Sequence, residues 1–253
     1  MEKKATSDFI FGIRAIIEAI RAEKDIDKLL IQTDLGKSDL MGELLKLAKE
    51  RSILVQRVPV HKLNKITQKN HQGAIAYLSA VNYVSFEDIL QGVFEQGRTP
   101  LFLLLDSITD VRNLGAIART AECVGVDCLI VPEKNSAQIG SDAIKTSAGA
   151  LHHLPVSRVK SLLQAVKYLQ NAGLQVVACT EKTDNLVYSA DLSLPTAIVM
   201  GAEDTGISQE ILKQADMLAK IPMFGKIASL NVSVSAGVIL YEVVRQREFL
   251  RKM

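Results

Sequence analysis

Three segments of the chain could do chemistry, because in each an apolar run gives way at once to glycine, amide, hydroxyl and charged residues: LLLDSITDVRNLGAIARTAECVG, AIVMGAEDTGIS and KIPMFGKIASLNVSVSAGVILYEVV. In the first, a strand is expected to end at Asp106 and Asn113 to cap a helix running through Arg119 to Val124. Gly115 falls one turn before Arg119 and removes bulk beside the guanidinium, although a capped helix with a surface arginine is the plainer reading. In the second, a buried strand runs into Gly201, Glu203 and Gly206 before Ser208 starts another helix. Glycines at the carboxyl end of a strand let backbone approach a ligand closely, which is where open α/β sheets bind one. A β-branched side chain at 201 is then expected to enter the ligand's space, while a tight turn needing positive φ is the alternative reading. In the third, Gly225, Ser229 and Asn231 join an apolar strand to the terminal helix. Ser and Asn are ordinary helix caps that also hydrogen-bond to nucleotides. The pattern by itself names no substrate.

Other familiar chemistries lack their signatures. The sequence holds no G-x-G-x-x-G after a strand, no G-x-x-x-x-G-K-[ST], no H-E-x-x-H and no G-x-S-x-G. His61 and His71 lie early in the chain, and His152 and His153 are neighbours whose side chains do not readily converge, so neither a metal site nor a histidine-based triad is expected. Cys123, Cys128 and Cys179 form no CxxC pair and read as reduced core residues in a reducing compartment. Asp8, Arg14 and Glu18 interrupt the opening apolar run well short of a signal or membrane segment, which points to the cytoplasm and away from a membrane. A formal net charge of +2 neither demands nor excludes nucleic acid. Local charge says more: residues 46–69 hold seven Lys/Arg (Lys46, Lys49, Arg51, Arg57, Lys62, Lys65, Lys69) against Glu50 alone, as suited to RNA contact as to a solvated helix face.

The elements that must position these segments fall into two groups. Ile13, Ile16, Ile17 and Ile20 have helical spacing and Leu29-Leu30-Ile31 reads as a short buried strand. A helix at 43–49, a strand at 53–55, a helix at 60–66 and a strand at 74–78 complete an α/β unit placed at 1–80. Residues 81–100, with a helix-like stretch at Phe86, Ile89, Leu90 and Val93, are expected to link it to a second domain at 101–253. There LFLLLD, CLIV, LQVVACT, TAIVM and MLAKIPM are apolar on both faces, as a parallel sheet covered by helices requires. A terminal helix over 232–251 is expected to present Val234, Val238, Tyr241 and Val244 as one stripe, buried on its own domain, on a partner, or on both.

Taken together, DSITDVRNLGAIARTAECVGVD, IVMGAEDTGIS and IPMFGKIASLNVSVSAGVILYE resemble, in order and spacing, the three motifs of the SpoU/TrmH family of RNA 2′-O-ribose methyltransferases in the SPOUT superfamily. The opening GIRAIIEAIRAEKDIDKLLI and the later HQGAIAYL resemble the substrate-binding domain of members that modify large-subunit rRNA. The resemblance implies a small N-terminal α/β substrate-binding domain and a C-terminal α/β domain with a parallel sheet and a deep trefoil knot. It also implies S-adenosylmethionine as cofactor, RNA, most closely a guanosine of 23S rRNA, as substrate, and a homodimer whose protomers complete each other's active sites. Carried over residue by residue, the cofactor would contact backbone near Thr180, Gly201, Ile221 and Leu230. Asn113, Arg119, Glu203, Ser229 and Asn231 would surround the methyl acceptor. The resemblance also admits tRNA or an antibiotic-binding rRNA loop as substrate, and a non-catalytic RNA-binding factor of the same fold. Two departures stand out: Ala202 replaces a common Ser or Asn, and Val111-Arg112 replaces a common Pro-containing turn, adding a cation near the RNA.

Overall fold

A computed structural model describes residues 9–36, 38–51, 53–227 and 229–250 of the 253-residue chain. It divides into two compact units, one running to Asn82 and including Gln138–Ser141, the other holding Tyr83–Ala137 and the chain from Asp142 onward.

In the first unit the order is β1 (Phe9–Phe11), α1 (Ile13–Arg21), β2 (Ile26–Gln32), α2 (Asp39–Glu50), β3 (Val55–Val58), α3 (Val60–Ile66) and β4 (Ala74–Leu78). The sheet order is β1-β4-β2-β3, with β2 and β3 parallel and β4 antiparallel to both β1 and β2. The helical isoleucines Ile13, Ile16, Ile17 and Ile20 pack with Met41, Leu44 and Ala48 of α2 against Leu29, Ile31 and Ala76 on one face of this sheet. Alternation in β2 and β4 turns Leu30 and Ile75 to the other face, where Leu63 of α3 and Val58 cover them. The expected strand at 53–55 lies instead at Val55–Val58, and β1 escapes the sequence reading because three residues carry no period. His71, buried, accepts a hydrogen bond at Nδ1 from Gly73 N (3.0 Å) and donates from Nε2 to Asn64 Oδ1 (2.8 Å), a structural use of this histidine.

The second unit begins with α4 (Phe86–Glu95) and continues β5 (Leu101–Asp106), α5 (Val111–Cys123), β6 (Cys128–Pro132), α6 (Ser141–Thr146), β7 (Val156–Val159), α7 (Leu162–Asn171), β8 (Gln175–Cys179), β9 (Thr196–Gly201), α8 (Gln209–Gln214), β10 (Met217–Ala219) and α9 (Val232–Val244). Its six strands are all parallel, in the order β10-β8-β9-β5-β6-β7. This is the covered parallel sheet that the apolar runs call for, and β5 is buried at all six positions. Phe102, Leu104, Val176, Ala178, Ala197 and Val199 face a core shared with α4, α7 and α8. The alternate residues, among them Leu103 and Ile198, face the opposite way, where α5 packs on α9. Phe86, Leu90 and Val93 of α4, read from sequence as part of a linker, are buried, and Phe86 and Leu90 belong to the core of this unit.

The terminal helix departs from expectation in where its α-helical part ends. Its α-helical part ends at Val244 and a π-helical turn, Arg245–Leu250, follows; Arg251 lies outside the described residues. Its own-domain face is Val232, Ala236, Ile239, Leu240 and Val243, while Val234 (51% exposed) and Tyr241 (57%) of the predicted stripe look outward. The turn is held by charge. Arg247 donates to the carbonyls of Thr99, Pro100, Leu192 and Leu194 at 2.8–3.1 Å, tying the C-terminal end to the residues that precede β5 and β9. Glu242, buried, takes a bidentate pair of 2.7 Å bonds from Arg245 and one from Gln246 Nε2. The Arg245 bonds, helped by Gln246, hold its carboxyl below the ordinary 4.5 against the opposing effect of burial. A depressed carboxyl stabilises the fold above its unfolded value and loses that contribution as pH falls through the folded one. The melting temperature is therefore expected to drop as pH is lowered below about 4.5, and Glu242→Gln should show a shallower drop; parallel curves for both proteins would remove Glu242 from the account.

Candidate active site

The three chemical segments meet at the carboxyl edge of the second sheet, after the adjacent strands β5 and β9 and after β10, which β8 separates from β9. A cavity of about 430 Å³ opens there, bounded by Cys179 and Thr180 after β8, Gly201 and Glu203 after β9, and Ile221, Ser229 and Leu230 after β10. That volume suits a small organic ligand, for which roughly 300–1,000 Å³ is usual. Leu186, Ile221, Leu230 and Ile239 give it apolar walls, and Thr180, Glu203, Ser229 and Ser235 give it polar ones. Cys179 is half-buried, and burial pushes its thiol up to about 12, so it stays protonated and unreactive at neutral pH. Cys128 is likewise buried and raised to about 12, whereas Cys123, expected in the core, is exposed at the end of α5.

The loop between β9 and α8 is shaped by its glycines. A Cβ on Gly201 would stand 2.2–2.4 Å from Gly206 C, Gly206 O and Ile207 N. Gly201 is thus needed for its own loop to fold back, and a side chain there would strike that backbone rather than the open cavity. Gly206 is the one that requires positive φ (+67°), and its N–H donates to Ala202 O at 2.9 Å. Buried Asp106, at the end of β5, accepts from Ser208 N at 2.8 Å and from Ser107 Oγ at 3.1 Å, fastening the far end of the loop. Sequence reading took Asp106 only as a strand end; a carboxylate closing an otherwise apolar buried strand is the signal that marks it.

Helix α5 is capped by Asp110, not Asn113: the Asp110 carboxylate accepts from Arg112 N (2.7 Å) and Asn113 N (3.0 Å). Val111 and Arg112 are therefore helical, and the departure from a Pro-containing turn leaves no loose loop. Freed from capping, the Asn113 side chain joins a ring. Its Nδ2 donates to Glu203 Oε1 (3.2 Å), and its Oδ1 accepts from Asn231 Nδ2 (3.0 Å). Asn231 Nδ2 also donates to Glu203 Oε1, which takes a further bond from Val232 N at 3.1 Å. Asn231 caps α9 as expected, accepting from Ser233 N at 2.9 Å. One residue from each chemical segment is thus locked to the other two.

The structure brings together Asn113, Glu203 and Asn231 in that ring, and Thr180, Gly201, Glu203, Ile221, Ser229 and Leu230 around the cavity. Arg119 stands apart. Six residues beyond Asn113, it is turned about 120° around the axis and about 9 Å along it. It is exposed and outside the cavity lining, and its side chain makes no hydrogen bond or ion pair among the described residues. Gly115 also differs from expectation: its missing Cβ accommodates Thr146, whose Oγ1 would lie 2.0 Å from it, rather than the Arg119 guanidinium. Among the described residues no group of three or more His, Cys, Asp or Glu could hold a metal, and no helix is long and apolar enough to cross a membrane.

Comparison with known sequences supplies what geometry alone leaves open. Residues 100–241 match the model of the SpoU rRNA Methylase family, more than half the chain. The chain belongs to the SpoU methylase family. Residues 9–84 match a second model, described as RNA 2′-O ribose methyltransferase substrate binding. A relative in Bacillus subtilis, YacO, carried as a TrmH family tRNA/rRNA methyltransferase, is 33% identical over 240 residues, covering 95% of this chain and 96% of the relative. The fold of this SpoU protein is similar to that of the SpoU methyltransferase AviRb from Streptomyces viridochromogenes, solved in complex with AdoMet, at a TM-score of 0.59 and 27% identity over 94% of this chain and 90% of the other. It is also similar to a TrmH/SpoU tRNA modifying enzyme of A. aeolicus, at a TM-score of 0.55 and 33% identity over 65% and 85% of the two chains.

Proposed function

We propose that this SpoU methylase transfers a methyl group from S-adenosylmethionine to a ribose 2′-hydroxyl of RNA, with a guanosine of large-subunit rRNA as the target and the cytoplasm as the compartment. The observation that carries the reading is the locked ring of Asn113, Glu203 and Asn231 at the rim of a cavity that suits S-adenosylmethionine in volume and in its mix of polar and apolar walls. The deep trefoil knot of the family belongs to the same reading. When bound, the cofactor supplies an activated methyl on a sulfonium, a donor strong enough that the protein's task is to place and deprotonate the acceptor.

The chain's own residues meet that task by position. Backbone at Thr180, Gly201, Ile221 and Leu230 holds the cofactor, while Ser229 and the ring orient the ribose. Holding both reactants in attack geometry supplies roughly 7–11 kcal/mol. Held by those backbone atoms, the cofactor would supply its methyl group to the 2′-oxygen that Ser229 and the ring present, and the hydroxyl proton would pass to water. Arg119 stabilises the developing alkoxide beside an adjacent phosphate through the planar fork of its guanidinium. Its distance from the cavity within one chain fits a site completed by a second protomer. Mapping ribose methylation of rRNA and tRNA in cells with and without the protein tests the whole reading: loss of one 2′-O-methylguanosine in 23S rRNA is expected, and loss confined to tRNA would reassign the substrate.

The homodimer is assigned to apolar residues left outward: Val234 and Tyr241 of α9 and, in the segment before it, Ile227 (74% exposed) and Phe224 (97%). Sedimentation at micromolar concentration should give a dimer, and Tyr241→Glu should give monomers; a wild-type monomer sinks this part. RNA docking is assigned to the first unit, and there the cations are not equal. Lys46 and Arg51 stand 4.0 Å and 2.9 Å from Glu50 and Glu23, whereas Arg57 of β3 and Lys62 and Lys65 of α3 form no ion pair among the described residues. Lys62→Ala with Lys65→Ala should weaken RNA binding and flatten its salt dependence by about two units, one per lost contact, leaving cofactor affinity unchanged. An unaltered slope counts against docking by α3.

A further inference from the structure

Helices α5 and α6 meet at a notch. A Cβ built on Gly115 would lie 2.0 Å from Thr146 Oγ1, 2.6 Å from Thr146 Cβ and 3.0 Å from Ser147 N, so the Thr146 side chain occupies the space that any other residue at 115 would fill. Thr146 is the last residue of α6, and its Oγ1 lies 2.8 Å from Asp142 O within its own helix and 3.3 Å from Val111 O in the first turn of α5. The segment behind it is stiffened: buried Ser147 donates to Ile144 O at 3.0 Å, and Ala148 (φ 51°) and Gly149 (φ 87°) turn the chain in the left-handed region. Thr146 is therefore a peg with a firm base. The hole it enters lies between the two residues of α5 that the proposed reaction needs, Asn113 half a turn before Gly115 and Arg119 one turn after.

From this contact we infer that Thr146 is a positioning residue for methyl transfer: seated in the Gly115 notch, it fixes α5 along and around its axis and so sets where Asn113 and Arg119 stand. The inference rests on the proposed roles of those two residues. The geometry gives it force: rotation about χ1 can swing Thr146 Oγ1 aside but not Thr146 Cβ, and restoring an ordinary contact of about 3.4 Å from 2.6 Å requires a displacement of about 0.8 Å. Displacement on that scale breaks bonds of 3.0–3.2 Å such as those Asn113 makes to Asn231 and Glu203. Misplacement by about 1 Å also suffices for a loss on the order of 10²-fold in a reaction governed by orientation. The cavity is lined by residues at and after the ends of β8, β9 and β10 and by Val232, Ser235 and Ile239 of α9, and neither Gly115 nor Thr146 is among them.

The test is a peg-and-hole exchange in the full-length protein. Gly115→Ala should slow single-turnover methylation of an unmodified 23S rRNA transcript by about 10–100-fold while the affinity for S-adenosylmethionine, measured by titration calorimetry, stays within about threefold. Adding Thr146→Gly removes both close atoms and leaves Ser147 N, at 3.0 Å, as the nearest neighbour, so the double variant should recover most of the rate; Thr146→Ser alone should retain it. Side-chain amide NMR signals of Asn113 and Asn231 give a readout independent of turnover, expected to move in Gly115→Ala and to return in the double variant. Unmoved amide signals and a wild-type rate in Gly115→Ala overturn the inference, as does a double variant no better than the single. If the wild-type protein methylates no RNA at all, the functional reading fails, and the amide signals still decide whether Thr146 positions α5.

Discussion

Arg119→Ala is expected to slow the methyl-transfer step by about 10²–10³-fold, the usual cost of losing one preorganised donor at a developing oxyanion. The structure sharpens this expectation. Arg119 is exposed and makes no bond within the described chain that its removal would break, so as a plain surface residue it should change stability by less than about 0.5 kcal/mol and leave the rate alone. The two roles thus predict different results from one variant, with little risk that unfolding confuses them. Cofactor affinity should persist, because Arg119 does not line the cavity. Arg119→Lys should recover little, since an ammonium keeps the charge but loses the planar fork that can hold phosphate and oxyanion together. Single-turnover methylation with saturating RNA isolates the chemical step, and a wild-type rate for Arg119→Ala in that assay would return the residue to the bland role.

Gly201→Ala is expected to cut S-adenosylmethionine affinity by about 5–150-fold, the equivalent of the roughly 1–3 kcal/mol that forced overpacking costs. A single methyl is enough because it would sit 2.2–2.4 Å from backbone atoms of Gly206 and Ile207, and backbone cannot swing aside as a side chain can. Relief must come from moving the loop that carries Glu203, away from the ring and from the Asp106 carboxylate that holds Ser208 N. Alanine is more informative here than valine, since its methyl does not extend to the ligand and any loss is transmitted through the loop. Titration calorimetry on a variant whose thermal unfolding remains cooperative measures the effect; full affinity would mean that the loop does not shape the cofactor site.

The same residue shows where sequence reading stopped. Gly201 was legible as a glycine at the end of a buried strand, and that placed it beside a ligand, but the direction of its absent side chain depends on how residues 202–207 fold back. Asn113 has the residue type of a good helix cap, but Asp110, three residues earlier, caps α5 with two bonds, and the choice between them is made by where the strand before it delivers the chain. Gly115 suggests space for Arg119 within one helix, whereas the space is used by a residue 31 positions later. In each case a local preference is visible in the sequence and its partner, distant along the chain, is not.

By itself the sequence determined the covered parallel sheet, since strands buried on both faces leave uninterrupted apolar runs such as LFLLLD, and it determined the amphipathic helices of the first unit through their isoleucine spacing. It also singled out the three chemical segments, because glycine, amide and charge at strand ends are visible without any fold. Only the tertiary structure decided that these segments meet. Strand order is not written in periodicity, and it is the β10-β8-β9-β5 arrangement that brings residues 113, 203 and 231 within hydrogen-bonding distance across 118 positions of chain. It decided as well that Arg119 stands outside the cavity of its own chain, because a helix fixes the angle between two residues but its packing fixes which way that angle points.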